Sequence, residues 1–305
     1  MNRRRFLAQG AGAAALPSLY PLAGLWQHDN HISCNLYTWL TYYRREGKDF
    51  YADIDAGLAA VASSGVDGIE PSITSTDQVD EIAPLLEKHG LKMRSIYVNS
   101  KFHEAGDAED SIAQVLKIAD SCKALGTKII VINPSPLGWN SPENKTDAQL
   151  RVQAVALQQL GAELYNRGLT LAYHTHDSEF RAGAREFHHM MLSTNPRHVT
   201  FCLDVHWVYR GSENSNVALF DVIDLYGERI SELHIRQSLN HIWTETFGEG
   251  DIDYASVVEV LRRKNLRPFL VLEQAAEEGT PATLSPVEVH RVSQKAMRKI
   301  FAPLG

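Results

Sequence analysis

The sequence predicts a single-domain α/β protein folded as a (β/α)8 barrel, and three observations support this fold class. Short apolar runs alternate eight times with longer amphipathic stretches from residue 31 onward. Glycines stand where predicted helices pass to the next strand. Polar side chains able to bind a metal follow several of the apolar runs, and barrel enzymes keep their active sites at these strand ends. An alternation repeated this often favours a closed parallel barrel over an open sheet.

The apolar runs define the predicted strands, which cover 31–37, 67–72, 92–98, 128–134, 169–175, 199–205, 231–236 and 268–273. A helical period of apolar residues predicts helices over 51–64, 76–89, 108–125, 147–167, 215–228, 253–264 and 285–301. The glycines that follow predicted helices, as a C-terminal cap does, are Gly65, Gly90, Gly126 and Gly168. Three longer loops, at 100–106, 135–146 and 237–252, all follow strands, so we expect them to cover the site.

The first residues depart from this globular pattern. Arg3, Arg4 and Arg5 precede a small and apolar stretch, and the run NRRRFL resembles a twin-arginine export signal. Residues 1–27 are therefore predicted to be a signal peptide and leader, and residues 28–305 the barrel, which implies a periplasmic protein. The apolar stretch is short and contains Pro17 and Pro21, which argues against a membrane anchor in the mature protein. A disordered basic leader is the alternative.

Composition narrows the class of partner. The chain of 305 residues is 44% hydrophobic and 22% charged, with a formal net charge of −7. Such a balance provides no general basic field, so a nucleic acid is not expected as the partner and a small polar molecule is. The three cysteines show no metal or redox spacing and are predicted to be buried thiols without a disulfide. The sequence leaves the oligomeric state open, with a homo-oligomer among the options.

Four short segments at strand ends carry side chains that can bind a metal: YHTH (173–176), LDVH (203–206), LHIR (233–236) and VLEQ (271–274). Alternate residues of a strand face the same side, so His174 with His176, Asp204 with His206, and His234 with Arg236 are each predicted to point together. If the strands are neighbours, these side chains converge on Glu273. Convergence of this kind predicts a divalent-metal site.

The residue types also indicate which metal. A shell of His, Asp, His and Glu from strands five to eight mixes nitrogen and oxygen donors. This shell suits Mn, Zn, Co or Fe better than Ca or Mg, and manganese is the first choice.

Several other residues are predicted to surround the metal. Glu70 and Asn133 end the second and fourth predicted strands, so each is a candidate for binding substrate, with Glu70 alternatively orienting a metal ligand. Arg236 could donate to a substrate oxygen or form a salt bridge. Trp207 could stack on a substrate ring or pack at the rim.

The motifs YHTHDSEF, LDVHWVYRG, HIRQ, FGEGDIDY and VLEQ resemble those of the xylose isomerase-like TIM barrel superfamily over about residues 30–303. This sugar phosphate isomerase/epimerase group also includes ketose 3-epimerases, inosose dehydratase and endonuclease IV. By that resemblance, the metal ligands would be His174, Asp204, His234 and Glu273. The resemblance specifies the superfamily and not one reaction.

One departure from the resemblance bears on the chemistry. Ketose 3-epimerases carry a glutamate where His174 stands, which leaves Glu273 as the single carboxylate of their acid/base pair. His176 or His206 would then supply the second acid/base group, because histidine titrates near neutral pH. The reaction common to the group deprotonates a carbon beside a ketone to give an enediolate.

The sequence favours an unphosphorylated sugar or a keto-glycoside as substrate, since the loops after strands seven and eight contain Glu245, Glu249, Glu277 and Glu278. The predicted function is a metal-dependent isomerase or epimerase. A metal-dependent lyase or dehydratase acting on a 3-keto-glycoside is one alternative, and a non-catalytic periplasmic sugar-binding barrel is another. A phosphodiesterase would need a basic groove that the sequence does not offer.

Overall fold

A computed structural model describes residues 30–305 and confirms the (β/α)8 barrel. The strands are β1 (Ile32–Asn35), β2 (Gly68–Glu70), β3 (Ser95–Ser100), β4 (Ile129–Pro134), β5 (Thr170–Tyr173), β6 (Val199–Asp204), β7 (Ile230–Ile235), β8 (Ser238–Leu239), β9 (Ile242–Trp243) and β10 (Phe269–Leu272). All except β8 and β9 form one parallel sheet in the order β2-β1-β10-β7-β6-β5-β4-β3. Its two edge strands meet through the parallel bridges Gly68–Lys92 and Ser72–Tyr97, which close the barrel. The strands β8 and β9 pair as an antiparallel hairpin above β7.

Ten α-helices surround the barrel within residues 30–305. They are α1 (Leu36–Arg45), α2 (Ile54–Ser63), α3 (Thr76–His89), α4 (Ala105–Lys123), α5 (Asp147–Asn166), α6 (Arg181–Ser193), α7 (Val205–Gly211), α8 (Asn216–Tyr226), α9 (Tyr254–Arg263) and α10 (Pro286–Phe301). The predicted helices are all present, with ends shifted by a few residues. Three further helices, α1, α6 and α7, lie outside the predicted ranges given above.

Two of these additional helices begin directly at the end of a strand. The side chain of Asn35 accepts a hydrogen bond from the Tyr37 backbone N–H and caps α1, so the strand predicted over 31–37 ends at Asn35. Asp204 accepts from the Trp207 N–H at 2.7 Å and caps α7 in the same way. Side-chain oxygens of Asn and Asp are favoured N-caps because they satisfy backbone donors of the first turn. After Asn35 and Asp204, side chains therefore no longer alternate between the two faces of the sheet.

The core has two parts. A large apolar cluster lies between the strands and the surrounding helices and contains residues from nearly every element, such as Leu157, Phe201 and Leu261. A small cluster fills the barrel interior and consists of Tyr97, Ile129, Val131, Ala172 and Cys202 with Phe269 packed against it. Polar residues replace this interior packing toward the carboxyl ends of the strands, which is where a barrel holds its site.

The predicted signal peptide over residues 1–27 lies outside the described residues. From residue 30 to 305, no helix combines the length and the apolar character needed to cross a bilayer. The three cysteines of the sequence are buried free thiols.

Candidate metal centre and substrate cavity

Four side chains meet at the carboxyl end of the barrel. Asp204 and His234 lie in the last two residues of β6 and β7, and His174 and Glu273 follow β5 and β10 directly. Each offers one ligand atom, and these atoms all lie within 4.8 Å of one another. All four residues are buried. The structure thus brings together the four predicted metal ligands.

The hydrogen-bonding state of these atoms fits a bound cation. In the described part of the chain, no hydrogen-bond partner is found for His174 Nε2, Asp204 Oδ2 or His234 Nδ1, whereas Glu273 Oε2 lies 2.8 Å from Arg236 Nη2. A buried polar atom without a partner costs about 1–3 kcal/mol, so three together are expensive unless something satisfies them. A divalent cation takes two imidazole nitrogens and two carboxylate oxygens as ligands. The donor set therefore fits a divalent metal ion.

The electrostatics of the cluster agree with this assignment. Burial and the neighbouring His234 lower the pKa of His174 to about 3, which keeps that imidazole neutral with a lone pair available. Burial would also lower the pKa of His234, but the neighbouring Cys202, Glu70 and Glu273 outweigh it and raise that pKa well above its ordinary value. The carboxylates of Glu70 and Glu273 thus favour a positive charge at this point of the site.

The pKa values of the two carboxyl groups in the cluster shift in opposite directions. Burial alone would raise the pKa of Glu273, but the charges of Arg236 and His234 hold it well below the usual range. Burial and the nearby Glu273 raise the pKa of Asp204 well above the ordinary value. Both carboxyls face the same point, so a bound cation would favour ionisation of the two together.

Glu70 supports the metal ligand His234 from below the cavity. Its carboxylate accepts hydrogen bonds from Asn35 Nδ2 and Ser95 Oγ, each at 2.8 Å, and its Oε1 lies 2.9 Å from His234 Nε2. Glu70 is fully buried. The predicted role of Glu70 in binding substrate is thus not supported by its position. The alternative role of orienting a ligand fits, because a carboxylate at Nε2 leaves Nδ1 of the ring for the metal.

A second group of ligand types lies beneath the first and shares His234. Cys202, Glu232 and His234 place one ligand atom each within 4.8 Å. Burial and the adjacent Glu70 raise the pKa of Glu232 to about 8, so this carboxyl keeps its proton near neutral pH. Since Glu70 already lies against Nε2 of His234, we interpret this group as part of the support beneath the metal centre.

A cavity of about 450 Å³ opens above the metal centre. Its lining residues are Asn35, Tyr37, Ser72, Tyr97, Asn99, Trp139, Asn140, His176, Asp177, Trp207, Arg236 and Glu273. The volume lies in the range of small-molecule sites. Predicted site residues that reach the cavity are thus Glu273, His176, Trp207 and Arg236.

Arg236 is fixed on three sides. Its Nε donates to the Glu273 carbonyl oxygen at 2.8 Å, and its Nη2 lies 2.8 Å from Glu273 Oε2. The guanidinium lies 4.0 Å from the ring centroid of Trp243, and Arg210 lies 5.0 Å from the same ring. The remaining nitrogen, Nη1, is buried and has no hydrogen-bond partner within residues 30–305. Arg236 therefore combines the predicted salt bridge with one donor left for a substrate oxygen.

The two predicted acid/base histidines occupy different places. His176 lines the cavity, and its ring centroid lies 4.9 Å from that of His174 and 5.3 Å from that of Trp207. Burial, and then the neighbouring His174, lowers the pKa of His176 well below its ordinary value, so the ring is neutral. Its Nδ1 has no hydrogen-bond partner in the described structure. His176 thus borders the cavity with one ring nitrogen open to a bound molecule.

His206 lies outside the cavity, contrary to the expectation that it points with Asp204. Helix α7 begins at Val205, so the chain turns by a helical step and strand alternation no longer applies. The ring of His206 is fully buried and packs against Trp207, Tyr209 and Trp243. Burial lowers its pKa to about 2, and Arg236 adds to this effect. In this position His206 is a neutral side chain of the packed wall.

Asn133 also lies outside the lining. It is fully buried, and its Nδ2 donates to the carbonyl oxygen of His174 at 3.3 Å. This contact fixes the backbone of a metal ligand, so the position of Asn133 indicates support of the metal centre instead of contact with substrate.

Sequence reasoning missed several residues of the cavity, among them the aromatic residues Tyr37, Tyr97 and Trp139. Tyr97 OH lies 3.4 Å from His174 Nδ1, which orients the other ring nitrogen toward the metal centre. Burial and the charge of Glu273 raise the pKa of Tyr97 well above its ordinary value, so its hydroxyl keeps its proton. The period of two that links Ser95, Tyr97 and Asn99 on β3 could have revealed Tyr97. Trp139 and Trp243 lie outside the barrel strands, where no periodic signal identifies them.

Two of the acidic loop residues, Glu245 and Glu277, are paired with donors of the protein itself, which the sequence did not indicate. Glu245 accepts hydrogen bonds from the backbone N–H of Thr283 and Leu284 and lies 3.5 Å from Arg45 Nη2. Glu277 pairs with both terminal nitrogens of Arg210 at 2.8 Å. Neither carboxylate lines the cavity. These two carboxylates do not by themselves disfavour an anionic substrate.

Comparison with known proteins gives consistent relatives. The chain is 22% identical over 271 residues to an inosose dehydratase of Clostridium perfringens, which covers 79% of this chain and 88% of the relative. Among solved structures, a sugar phosphate isomerase/epimerase from Parabacteroides distasonis superposes with a TM-score of 0.67 at 16% identity, over 95% of this chain and 99% of that chain. The 3-keto-D-glucoside 4-epimerase of E. coli superposes with a TM-score of 0.62 at 15% identity, over 90% of this chain and 98% of that chain.

At these identities the superpositions show a shared fold. The sequence model of one family covers most of the chain, with residues 58–300 matched. The chain therefore belongs to the xylose isomerase-like TIM barrel family.

Proposed function

We propose that this protein is a divalent-metal-dependent isomerase or epimerase that acts on an unphosphorylated sugar or a keto-glycoside through an enediolate. The observation that carries the proposal is the cluster of four buried ligand atoms within 4.8 Å of one another at the base of a cavity, three of which have no hydrogen-bond partner within residues 30–305. The similarity to an inosose dehydratase and to a 3-keto-D-glucoside 4-epimerase supports a sugar as substrate.

His174, Asp204, His234 and Glu273 would hold the metal ion. When bound, a divalent ion polarises a ketone oxygen and so acidifies the neighbouring C–H bond. The donor set of two imidazoles and two carboxylates supports Mn, Zn, Co or Fe, and we propose manganese as the first choice.

The chain's own residues then handle the proton. Glu273 is ionised and borders the cavity, so we assign it as the group that removes the proton. His176, neutral and with an unpartnered Nδ1 among the described residues, is assigned as the second acid/base group. The free Nη1 of Arg236 donates to a substrate oxygen and stabilises the negative charge of the enediolate. Trp207 contacts the sugar from the cavity wall.

A second candidate function is elimination, which shares the first step. The relatives named inosose dehydratase favour it, and so does His174, which replaces the second glutamate of the ketose 3-epimerases. Return of the proton to the opposite face gives an epimer, whereas loss of a β-substituent gives an unsaturated product. The position of His176 relative to the enediolate would decide between these outcomes.

Solvent isotope exchange tests the proposal. The metal-loaded protein is incubated in D2O with a 3-keto-glucoside, and mass spectrometry with NMR locates deuterium and identifies products. We expect uptake at the carbon next to the ketone, and its loss after chelation. Release of the aglycone at the same rate as deuterium uptake would indicate that the enzyme is a lyase. The absence of both deuterium uptake and product formation would leave a sugar-binding barrel as the better account.

We further propose that residues 1–27 direct export to the periplasm, on the basis of the NRRRFL run. Cell fractionation of the full chain beside an Arg4→Lys, Arg5→Lys variant tests this. The export proposal expects the wild-type protein in the periplasmic fraction and the variant in the cytoplasm. Equal distribution of the two proteins would contradict it.

A further inference from the structure

The cavity changes character from its base to its mouth. Glu273 and Arg236 at the base expose only 6% and 1% of their surface. Trp139 and Tyr37 line the same cavity but are 57% and 43% exposed. Large aromatic side chains left open to water beside a cavity are a recurrent feature of ligand-binding sites. A polar base is thus followed outward by an aromatic mouth.

The two aromatic residues come from distant parts of the barrel. Tyr37 lies in the first turn of α1, directly after β1, and Trp139 lies in the loop that follows β4. They therefore approach the mouth from separated strands of the sheet. Both segments therefore border the cavity on its exposed side.

The loop that carries Trp139 is held in place by its own contacts. Ser141 N donates to the Gly138 carbonyl oxygen at 3.0 Å, and Arg181 Nη1 donates to the Ser141 carbonyl oxygen at 2.9 Å. The indole ring of Trp139 lies 5.0 Å from the His176 ring at an interplanar angle of 87°. Trp139 is therefore positioned against an active-site residue while much of its surface stays open.

The charge at the mouth excludes one class of group. The exposed polar lining residues there include the neutral Ser72, Asn99 and Asn140. Asp177 is paired with Arg181 at 3.0 Å. Arg236, the one Lys or Arg side chain among the lining residues that the structure describes, is paired with Glu273. A phosphate at the mouth would find no free cation, whereas an uncharged ring would find aromatic surface.

We infer that the mouth formed by Trp139 and Tyr37 is a subsite for an uncharged, ring-shaped aglycone, so that the substrate is a glycoside and not a free monosaccharide. This inference rests on the proposed function, because it assumes that the sugar ring itself occupies the metal end of the cavity. The aglycone ring contacts the indole of Trp139, and the sugar oxygens reach Arg236 and the metal ligands.

The test compares two glycosides that lack a ketone and so cannot be deprotonated by the proposed reaction. Isothermal titration calorimetry of the metal-loaded full chain measures binding of phenyl β-D-glucoside and of methyl β-D-glucoside. We expect the phenyl glycoside to bind about two- to tenfold more tightly, the size of one aromatic contact. Trp139→Ala removes this preference for the phenyl glycoside, and Trp139→Phe keeps part of it.

Tyr165→Ala serves as the matched control, because Tyr165 is an aromatic residue with 42% exposure on the outer helix α5. This control should keep the full preference. Equal binding of the two glycosides by the wild-type protein overturns the aglycone subsite but leaves the proposed function standing. Failure to bind either glycoside, together with no deuterium uptake from keto-glucosides, overturns both. A preference that survives in Trp139→Ala overturns the assignment to Trp139.

Discussion

The two halves of the barrel contribute different parts of the same centre. Strands β5, β6, β7 and β10 bring the four candidate ligand side chains, three of which have an atom that lacks a hydrogen-bond partner in the described structure. Strands β1, β2 and β3 bring Asn35, Glu70, Ser95 and Tyr97, whose polar atoms contact one another or the ligand histidines. The first group supplies the candidate metal ligands, and the second group fixes the orientation of two of them.

This difference teaches which substitutions should abolish the site and which should only weaken it. A residue that binds the metal or the reacting atoms has no substitute within the cavity. A residue that orients a ligand shares that task with its neighbours, so its loss should be graded. Substitutions in the two halves can therefore test the division.

The largest effect is expected for Glu273→Gln in the ligand half. The amide cannot accept the substrate proton, so the rate of deuterium uptake from a keto-glucoside should fall by about 10²–10⁴-fold. Exchange at saturating metal and substrate measures it. Glu249→Gln removes an exposed carboxylate from the loop after β9 and serves as the control, which should keep the wild-type rate. Uptake within about tenfold of wild type in Glu273→Gln would show that another group removes the proton.

The histidines give a sharper contrast within the same half. His176→Ala should reduce exchange by about 100-fold because the ring lines the cavity and its Nδ1 is unpartnered within residues 30–305. His206→Gln should change exchange only a few-fold, since that ring is buried in the packed wall. Initial rates of both variants are compared at equal metal occupancy. Equal losses would return His206 to the catalytic group that the sequence predicted.

Glu70→Gln tests the supporting half. A neutral amide at this position weakens the contact with His234 Nε2, so we expect metal affinity to fall by about 10–100-fold while saturating metal restores most of the activity. Competition with a chelator measures the affinity. Glu109→Gln, exposed on α4, is the control and should leave it unchanged. A loss of activity that metal cannot restore would mean that Glu70 has a direct role in the reaction.

The smallest effect concerns stability and Glu179, which accepts a hydrogen bond from the His176 backbone N–H at 2.7 Å. Burial, and then the charge of Glu186, raises the pKa of Glu179 from 4.5 to about 7. The folded state therefore binds this proton more tightly than the unfolded state. The contribution to the free energy of unfolding is fully present below about pH 4.5 and is lost as pH rises toward about 7.

Glu179→Gln should remove that loss. Urea unfolding measures the free energy of unfolding at about pH 5 and about pH 8. Between these two pH values, it should fall by about 1–3 kcal/mol more in the wild type than in Glu179→Gln. The exposed Glu109→Gln variant should retain the wild-type pH dependence. An unchanged slope in Glu179→Gln would show that Glu179 is ionised across this range.

The fold and the metal ligands could be predicted because both produce local sequence signals. Apolar runs of strand length and amphipathic stretches recur along the chain, and His174, Asp204, His234 and Glu273 each stand at the end of such a run. The positions of strand ends could not be fixed to one residue. The capping side chains of Asn35 and Asp204 start helices there, and this shortened the first strand and turned His206 away from the cavity.

The rest of the site depends on contacts between residues that are distant in sequence. Glu70 lies below the cavity because three partners, Asn35, Ser95 and His234, come from other strands. Trp243 lies between Arg236 and Arg210 only after the hairpin has folded above β7. Such arrangements follow from tertiary packing and leave no periodic pattern in the chain.

The central claim is that the four strand-end side chains hold one divalent metal ion. Elemental mass spectrometry of the purified protein tests it most directly, in wild type beside His234→Ala and Cys202→Ala. We predict about one Mn, Zn, Co or Fe ion per chain in the wild type and none in His234→Ala. Cys202 lies beside His234 but is not one of the four ligands, so Cys202→Ala should also carry about one ion per chain. A wild-type protein that carries no metal after purification and binds none on titration with these ions would contradict the account.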